Sequence, residues 1–336
     1  MGSAYIMRDF KWGILAPGSI ARRFASGLAV APNAVKYAVG SRDLGRAKAF
    51  ADEFGFQKAY GSYKELANDP DVDVIYVATP HPQHEEAVLT CLDAGKATLC
   101  EKPFAPNARQ AARMIGRARQ NKVFLMEGMW TRFIPAVVKA RELIRDGEIG
   151  KVRHVVADFG FRANLDPNGR LFAPIAAGGS LLDVGVYNVS FCSMIYGRQP
   201  DRIQSHLHIG VTGVDEIASL LFNYTGGQSA QLLSAIRLNT PQDAIIYGED
   251  GSIRLPSYWH GDTVILANKN GTREFKFPFE STGFQFEAAE VMARLDGGHL
   301  ESAVMPLDET LDIVQTLDKI RFDNHLSYPF EDSENN

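Results

Sequence analysis

The chain reads as an α/β protein. A Rossmann-type doubly wound parallel sheet comes first, and a C-terminal α/β domain with a large open antiparallel sheet follows. Three observations lead there. From Phe10 to about Met126, short apolar runs alternate with longer stretches of helical periodicity, the pattern of βαβ units. From Arg202 to Phe277 the pattern changes to many short alternating runs separated by turn residues, as in antiparallel strands. Between the first strand and first helix lies Gly13-Ile-Leu-Ala16-Pro17-Gly18-Ser19-Ile20-Ala21, where a dinucleotide fingerprint belongs.

Length and composition bound the rest. The chain has 336 residues, 45% hydrophobic and 22% charged, with a formal net charge of −5. That suits two domains with substantial cores. No Lys/Arg-rich run points to nucleic acid. The three cysteines, Cys91, Cys100 and Cys192, lack metal or redox spacing, as expected of reduced thiols in a cytoplasmic protein. The start lacks a signal-peptide layout, no apolar run reaches membrane-spanning length, and Met7 is an alternative native start. The eight histidines are scattered and make no metal set.

Taken in order, the expected elements are strand Lys11–Ala16, helix Ser19–Val30, strand Val35–Gly40 and helix Asp43–Phe54. A short helix opens at Ser62, with Glu65 three residues on as a capping box. Val72–Ala78 is a near-continuous apolar run, as expected of a strand covered on both faces. Helix Gln83–Ala94 stops at Gly95, strand Ala97–Cys100 follows, then helix Asn107–Asn121 and strand Val123–Glu127. The pattern changes character near residue 128, so the domains are placed at 1–127 and 128–336. The second domain opens with a helix from Ile134 to about Arg145 and strand Val152–Gly160. A polar loop, Ala163–Pro174, is a plausible pocket rim. Helix Leu181–Tyr196 comes next, capped at Gly197, and helices from Phe284 and Asp308 close the chain.

The fingerprint has Ala16 in place of the first glycine, Gly18 as the second and Ala21 as the third. Gly18 lets backbone approach a pyrophosphate, and the helix start at Ser19 and Ile20 offers unpaired N–H groups at a positive dipole end. NAD-binding folds usually carry an acid at the end of the second strand. Here the residues are Gly40-Ser41-Arg42. Arg42 suits a charge-assisted pair with a 2′-phosphate, Ser41 a hydrogen bond to it, and Arg46 lies one helical turn on. The expected cofactor is therefore NADP, with NAD as the alternative. Thr79, Pro80, His81 and His84 follow one strand and Glu101-Lys102-Pro103 the next, at the carboxyl edge where open α/β sheets bind ligands. His81 and His84 join the cofactor candidates, and for His84 a structural place in the next helix is the competing reading.

Four stretches, ILAPGSIA, VATPHPQH, CEKPF and EGMWTRFIP, resemble the Gfo/Idh/MocA oxidoreductase family, and within it the branch of dimeric dihydrodiol dehydrogenases and NADP-dependent D-xylose dehydrogenases. The resemblance implies the two-domain fold above and a homodimer or homotetramer through the exposed face of the C-terminal sheet. Leu220, Phe222, Tyr224, Leu232 and Ile236 fill either that face or the domain's own core. It also implies that the Lys102–Pro103 bond is cis, and that the motif Gly178-Gly179-Ser180-Leu181-Leu182-Asp183-Val184-Gly185-Val186-Tyr187 carries the acid/base at Tyr187. Asp183 and Tyr187 are four apart, so a helix presents them on one face. A free tyrosine titrates at about 10, and an ammonium such as that of Lys102 favours the phenolate. The implied roles are proton exchange by Tyr187, polarisation of the reacting oxygen by Lys102 and orientation of substrate or Lys102 by Asp183. Without the resemblance Tyr187 is equally a core aromatic. Trp130 and Arg132 toward the cofactor, Glu101 toward its ribose, and Arg162 toward substrate complete the candidates, with rim or interface roles open for Trp130, Arg132 and Arg162. The expected reaction is NADP-dependent oxidation of a carbinol in a sugar or cyclic vicinal diol. A cofactor-recycling glucose–fructose-type oxidoreductase and a non-catalytic NADPH-binding regulator are the alternatives.

Overall fold

In the computed structural model residues 8–332 are described, so the candidate start at Met7 lies outside them. Two compact units form. The first comprises residues 8–105, Arg109–Trp130 and Glu280–Thr310; the second comprises Pro106–Ala108, Thr131–Phe279 and residues 311–332. The expected single division at 127/128 omits the return of 280–310 to the first unit. Its helix is amphipathic like many others, and only packing reveals which core its apolar side joins.

The first unit is a six-stranded sheet in the order β3-β2-β1-β4-β5-β6, built from β1 (Phe10–Leu15), β2 (Ala34–Gly40), β3 (Lys58–Tyr60), β4 (Val74–Val77), β5 (Ala97–Glu101) and β6 (Leu125–Gly128). All pairings are parallel. β4 and β5 are buried at every position, which explains their unbroken apolar character. The three-residue edge strand β3 was not among the expected elements, being too short for a period. Helices α1 (Ser19–Leu28), α2 (Leu44–Phe54), α3 (Tyr63–Ala67), α4 (His84–Asp93) and α5 (Ala108–Asn121) connect the strands. At α3 the Ser62 hydroxyl accepts from the Glu65 N–H at 3.1 Å, but the Glu65 carboxylate takes the Gly61 N–H at 2.9 Å, so the box closes one residue earlier than expected. On one face Phe24 stacks on Tyr76 at 3.7 Å and meets Trp12 at 5.3 Å. Phe284, on α8 (Phe284–Asp296), seals this cluster at 6.2 Å. Gly27 is what lets α8 approach: a Cβ there would lie 2.9 Å from that of Phe284.

The second unit is an eight-stranded sheet in the order β14-β13-β12-β11-β7-β10-β9-β8. Its strands are β7 (Val152–Gly160), β8 (Arg202–Ile209), β9 (Asp215–Tyr224), β10 (Gln228–Ala235), β11 (Ala244–Gly248), β12 (Gly251–Leu255), β13 (Thr263–Asn268) and β14 (Gly271–Lys276). The sheet is mixed rather than purely antiparallel, because β7 and β10 pair in parallel while the other neighbours are antiparallel. That pairing joins strands distant in sequence, which local alternation does not encode. Leu220, Phe222, Tyr224, Leu232 and Ile236 all lie in the core. The opposite face carries Val156, Leu221 and Leu233, half-buried, among Gln204, His206, Ser219 and Gln231.

Helices α6 (Pro135–Arg145) and α7 (Val186–Tyr196) cover the core face, and α9 (Leu307–Asp323) and α10 (Pro329–Asp332) follow α8. The expected helix Leu181–Tyr196 begins as a π-helical turn, Leu181–Gly185, before becoming α7. Contrary to the expectation from apolar run length, Pro174–Tyr196 is long and apolar enough to cross a membrane by composition. It is a core helix, with 89% of its apolar window buried.

Candidate active site

The nucleotide edge of the first unit begins at the turn after β1. Ala16 sits at φ +66°, and its carbonyl accepts from the Gly18 N–H at 2.8 Å. The tight turn therefore forms without the first fingerprint glycine, at the cost of a left-handed alanine. Gly18 is the N-cap of α1, with no side-chain cap, and the first turn holds no acid. A Cβ on Gly18 would meet only the Ala16 carbonyl, at 4.0 Å. The chain's own packing thus does not require glycine here, and the position leaves room for an anion at the Ser19 and Ile20 N–H groups.

At the end of β2, Ser41 is buried and accepts the Asp43 N–H at 3.2 Å. Arg42 and Arg46 are exposed. Both act on the Tyr63 hydroxyl: burial raises its pKa, and the two guanidiniums, with a hydrogen bond from Arg42, oppose that rise. A paired cation patch suits a 2′-phosphate; the neighbouring Asp43 carboxylate caps α2, accepting from the Arg46 N–H at 3.1 Å. Tyr63 was missed from sequence because it opens a helix twenty-one residues downstream of Arg42. At the end of β4 the buried Thr79 hydroxyl has no partner among the described residues, an acceptor and donor left over for a ligand. These features fit a nicotinamide dinucleotide.

Under the next turn, His84 is fully buried. Its Nδ1 faces the Pro103 carbonyl at 3.0 Å and the Phe104 carbonyl at 3.2 Å, and its Nε2 faces Thr79 O at 2.8 Å. His84 is therefore a buckle on the Lys102-Pro103-Phe104 turn and not a cofactor contact: both nitrogens are spent on backbone. Glu127, also buried, takes the Phe104 N–H at 3.2 Å. Lys102–Pro103 is cis. Glu101 is buried, accepts from the Tyr76 hydroxyl and takes the Lys102 N–H at 3.0 Å. Burial raises its carboxyl pKa, against the pull of Lys102 and Tyr76. Glu287 on α8 is wholly buried, and neither of its oxygens has a partner among the described residues. Burial first, then the Glu101 charge, push its carboxyl well above the ordinary range, which favours the neutral acid. Trp130 belongs to this unit's core, stacked on Phe284 at 4.6 Å with the Arg23 guanidinium 5.6 Å from its ring. His81 is buried, edge-on to His84 at 5.8 Å. Pro80 is exposed.

In the second unit, Asp183 lies in the π turn and Tyr187 one residue into α7. Both are nearly buried. Arg170 of the rim loop donates to Asp183 Oδ1 at 2.6 Å. Sequence reasoning missed Arg170, for no local signal ties a loop arginine to a helix thirteen residues on. The Tyr187 ring packs against Phe159 at 5.2 Å and Trp259 at 6.4 Å, and those two stack at 4.8 Å. A phenol on an aromatic wall, beside an ion pair, can exchange a proton while an apolar ring face is held. Arg132 is buried and donates to the Ser190 hydroxyl at 3.0 Å and its carbonyl at 2.9 Å. It anchors α7, which leaves that guanidinium committed to protein rather than to a cofactor phosphate. Arg162 is exposed at the end of β7, and its N–H is held by Asn239 at 2.9 Å.

Comparison with known proteins gives the chain a family. Residues 10–129 match the oxidoreductase family, NAD-binding Rossmann fold, of Gfo/Idh/MocA, and residues 137–254 match the GFO/IDH/MocA C-terminal domain. This chain belongs to the Gfo/Idh/MocA oxidoreductase family. It is 40% identical to a trans-1,2-dihydrobenzene-1,2-diol dehydrogenase of Mus musculus, over 95% of this chain and 98% of that protein. The Homo sapiens protein of the same name is 38% identical over 95% and 98%. Among solved structures, the aldose–aldose oxidoreductase of Caulobacter crescentus, complexed with glycerol, superposes with a TM-score of 0.87 at 24% identity, covering 95% of this chain and 98% of that one. A levoglucosan dehydrogenase with NADH and L-sorbose gives 0.86 at 19%, covering 95% and 97%. The chain is an NAD(P)-dependent oxidoreductase.

Proposed function

We propose that this protein is an NADP-dependent dehydrogenase that oxidises one carbinol of a cyclic vicinal diol or a sugar. Tyr187 exchanges the hydroxyl proton, Lys102 polarises the reacting oxygen, and Asp183, held by Arg170, orients the substrate. The observation that carries the reading is the setting of Tyr187: a nearly buried phenol flanked by Phe159 and Trp259 on one side of an Asp–Arg pair. An aromatic wall favours substrates with an apolar ring face, and the ion pair supplies hydrogen bonds to vicinal hydroxyls. Arg42, Arg46 and Tyr63 support NADP over NAD. When bound, the nicotinamide supplies the hydride acceptor; the chain's own contribution is to seat the dinucleotide on the α1 N-terminus and to move the proton at Tyr187 Oη. The relatives' printed activity, on trans-1,2-dihydrobenzene-1,2-diol, makes cyclic diols the first substrates to test. The half-buried apolar residues on the open face of the second sheet, Val156, Leu221 and Leu233, support a homodimer or homotetramer through that face.

A screen of NADP and NAD reduction against trans-dihydrodiols, aldoses and inositols tests the reading. Turnover with NADP on a cyclic diol or aldose is expected. Stoichiometric NADPH binding with no turnover on any member of the panel would sink it.

A further inference from the structure

The helix that carries Asp183 and Tyr187 starts against a buried carboxylate that the proposed chemistry does not use. Asp215, the first residue of β9, is fully buried. Its Oδ2 accepts from the Ser180 hydroxyl at 2.7 Å and from the Leu181 N–H at 2.7 Å. Its Oδ1 has no partner at hydrogen-bond geometry. Gly179 is at φ +118°, and a Cβ on it would overlap Asp215 Oδ1. Glycine at this position is therefore required twice, by backbone angle and by the carboxylate. Asp215 acts as an N-cap supplied from another strand, for a helix whose own N-cap residue, Ser180, makes no side-chain bond to the helix N–H groups.

The contacts run on to the residues that matter. The Gly179 carbonyl accepts from the Asp183 N–H at 3.3 Å, and the Gly179 N–H is held by the Leu171 carbonyl at 2.9 Å. The Gly178 N–H is held by Ala173 O at 3.2 Å, and the Gly178 carbonyl accepts from the Tyr328 hydroxyl at 3.0 Å. The same glycines thus tie the rim loop, with Arg170, to the start of the π turn, with Asp183. A π turn has its own phase, and the direction of Asp183 relative to Tyr187 depends on where that turn begins.

We infer that Asp215 is a positioning residue for the acid–base helix: its ionised carboxylate pins the Gly178–Leu181 segment and so sets the placement of Asp183 and Tyr187. This rests on the proposed role of Tyr187. A negative charge at a helix start is favourable, whereas a neutral carboxyl is the weaker acceptor for both donors. Burial pushes the Asp215 carboxyl up to about 7, opposed by the Ser180 hydroxyl and the Leu181 N–H, with smaller help from the Asp215 and Ser180 backbone N–H groups. The cap therefore changes strength around neutral pH. The titratable and charged groups on the elements around it are Tyr328, the Asp183–Arg170 pair, Glu216 with Arg237, and exposed His208 on β8.

Two variants test this: Asp215→Asn, neutral at every pH, and Ser180→Ala, which keeps the carboxylate but removes one donor. Initial-rate profiles are measured over about pH 5.5 to 9.5 with the best diol or aldose of the screen. The wild type is expected to show a step in kcat near pH 7 that Asp215→Asn lacks, with kcat down roughly tenfold to a hundredfold and NADPH affinity unchanged. Ser180→Ala is expected to move the step to higher pH, because the lost hydrogen bond favoured the ionised form. The Ser180 hydroxyl donates to Asp215 Oδ2, so a moved step is the signature of Asp215. Profiles of both variants that overlay the wild type overturn the inference while leaving the role of Tyr187 intact. Full activity of Tyr187→Phe overturns the reading beneath it instead. If Asp215→Asn does not fold, the Ser180→Ala shift decides alone.

Discussion

Two helix starts in this molecule receive opposite treatment. The N-terminus of α1 is left bare: Gly18 offers no side chain, no acid enters the first turn, and a Cβ at Gly18 meets almost nothing. The start of the π turn leading into α7 is filled by the chain's own carboxylate, Asp215, packed so tightly that only Gly179 fits. The physics is the same at both, unpaired N–H groups at a positive dipole end. On the proposed function, the start that receives a ligand's phosphate is open, and the start that holds the acid–base side chains is closed by a carboxylate of the chain itself. Binding and proton transfer would then fall to different units, so their defects should separate.

The largest separation is expected from Tyr187→Phe. It should lower kcat by about 10²–10⁴-fold while fluorescence titration shows wild-type NADPH affinity. Equal losses of kcat and NADPH affinity would mean that Tyr187 is a packing residue. Closing the open start is the reverse experiment. Gly18→Asp should weaken NADPH binding on the order of 100-fold, since a fixed carboxylate would meet the pyrophosphate. Its fold, followed by circular dichroism, should be unchanged because the position has room. Arg42→Ala should raise the KM for NADP by roughly 10–100-fold, the worth of a charge-assisted hydrogen bond, and leave the KM for NAD as it was. An unchanged KM for NADP would remove the 2′-phosphate assignment.

Two smaller effects probe strain stored in the binding unit. Glu287 is an acid whose folded pKa lies well above its unfolded value, so the native state holds an extra proton above about pH 4. Wild-type stability should fall as pH rises from there through the folded pKa. Glu287→Gln stays neutral, so its Tm should exceed that of the wild type by a margin that widens from pH 5 to pH 8. Each tenfold gain in proton affinity on folding is worth about 1.4 kcal/mol, or roughly 3 °C in a domain of this size. A constant margin would show that Glu287 is ionised or paired. The smallest effect is that of Ala16→Gly, which relieves a left-handed alanine for a net gain of roughly 0.5–1 kcal/mol after the extra freedom of glycine when unfolded. A loss of Tm would place the benefit of Ala16 elsewhere.

The chain announces much of this. The buried β4 and β5, the glycine-bearing turn, the Ser41-Arg42 pair after β2 and the Glu101-Lys102-Pro103 turn are all local patterns, and each lies where periodicity put it. His84 shows the limit. From sequence it stands between a cofactor contact and a structural place in the next helix, and only burial shows both ring nitrogens on backbone carbonyls. Arg132 shows the same limit from the other side, a guanidinium near the cofactor segment in sequence yet committed to Ser190. Arg170, Tyr63 and Asp215 carry no signal at all, because each acts across a gap of between thirteen and thirty-five residues on side chains it meets only after packing.

What the sequence alone determined is the set of short-range features: strand and helix periods, the turn types, the family motifs and a Ser41-Arg42 pair where NAD-binding folds usually carry an acid. These depend on residues within one or two turns of each other. The tertiary structure decided everything that depends on desolvation and on distant contact: the return of 280–310 to the first unit, the parallel pairing of β7 with β10, the π turn under Asp183, and the neutral or charged state of Glu287 and Asp215. A carboxylate's charge is set by what replaces its water, and no stretch of sequence specifies that by itself.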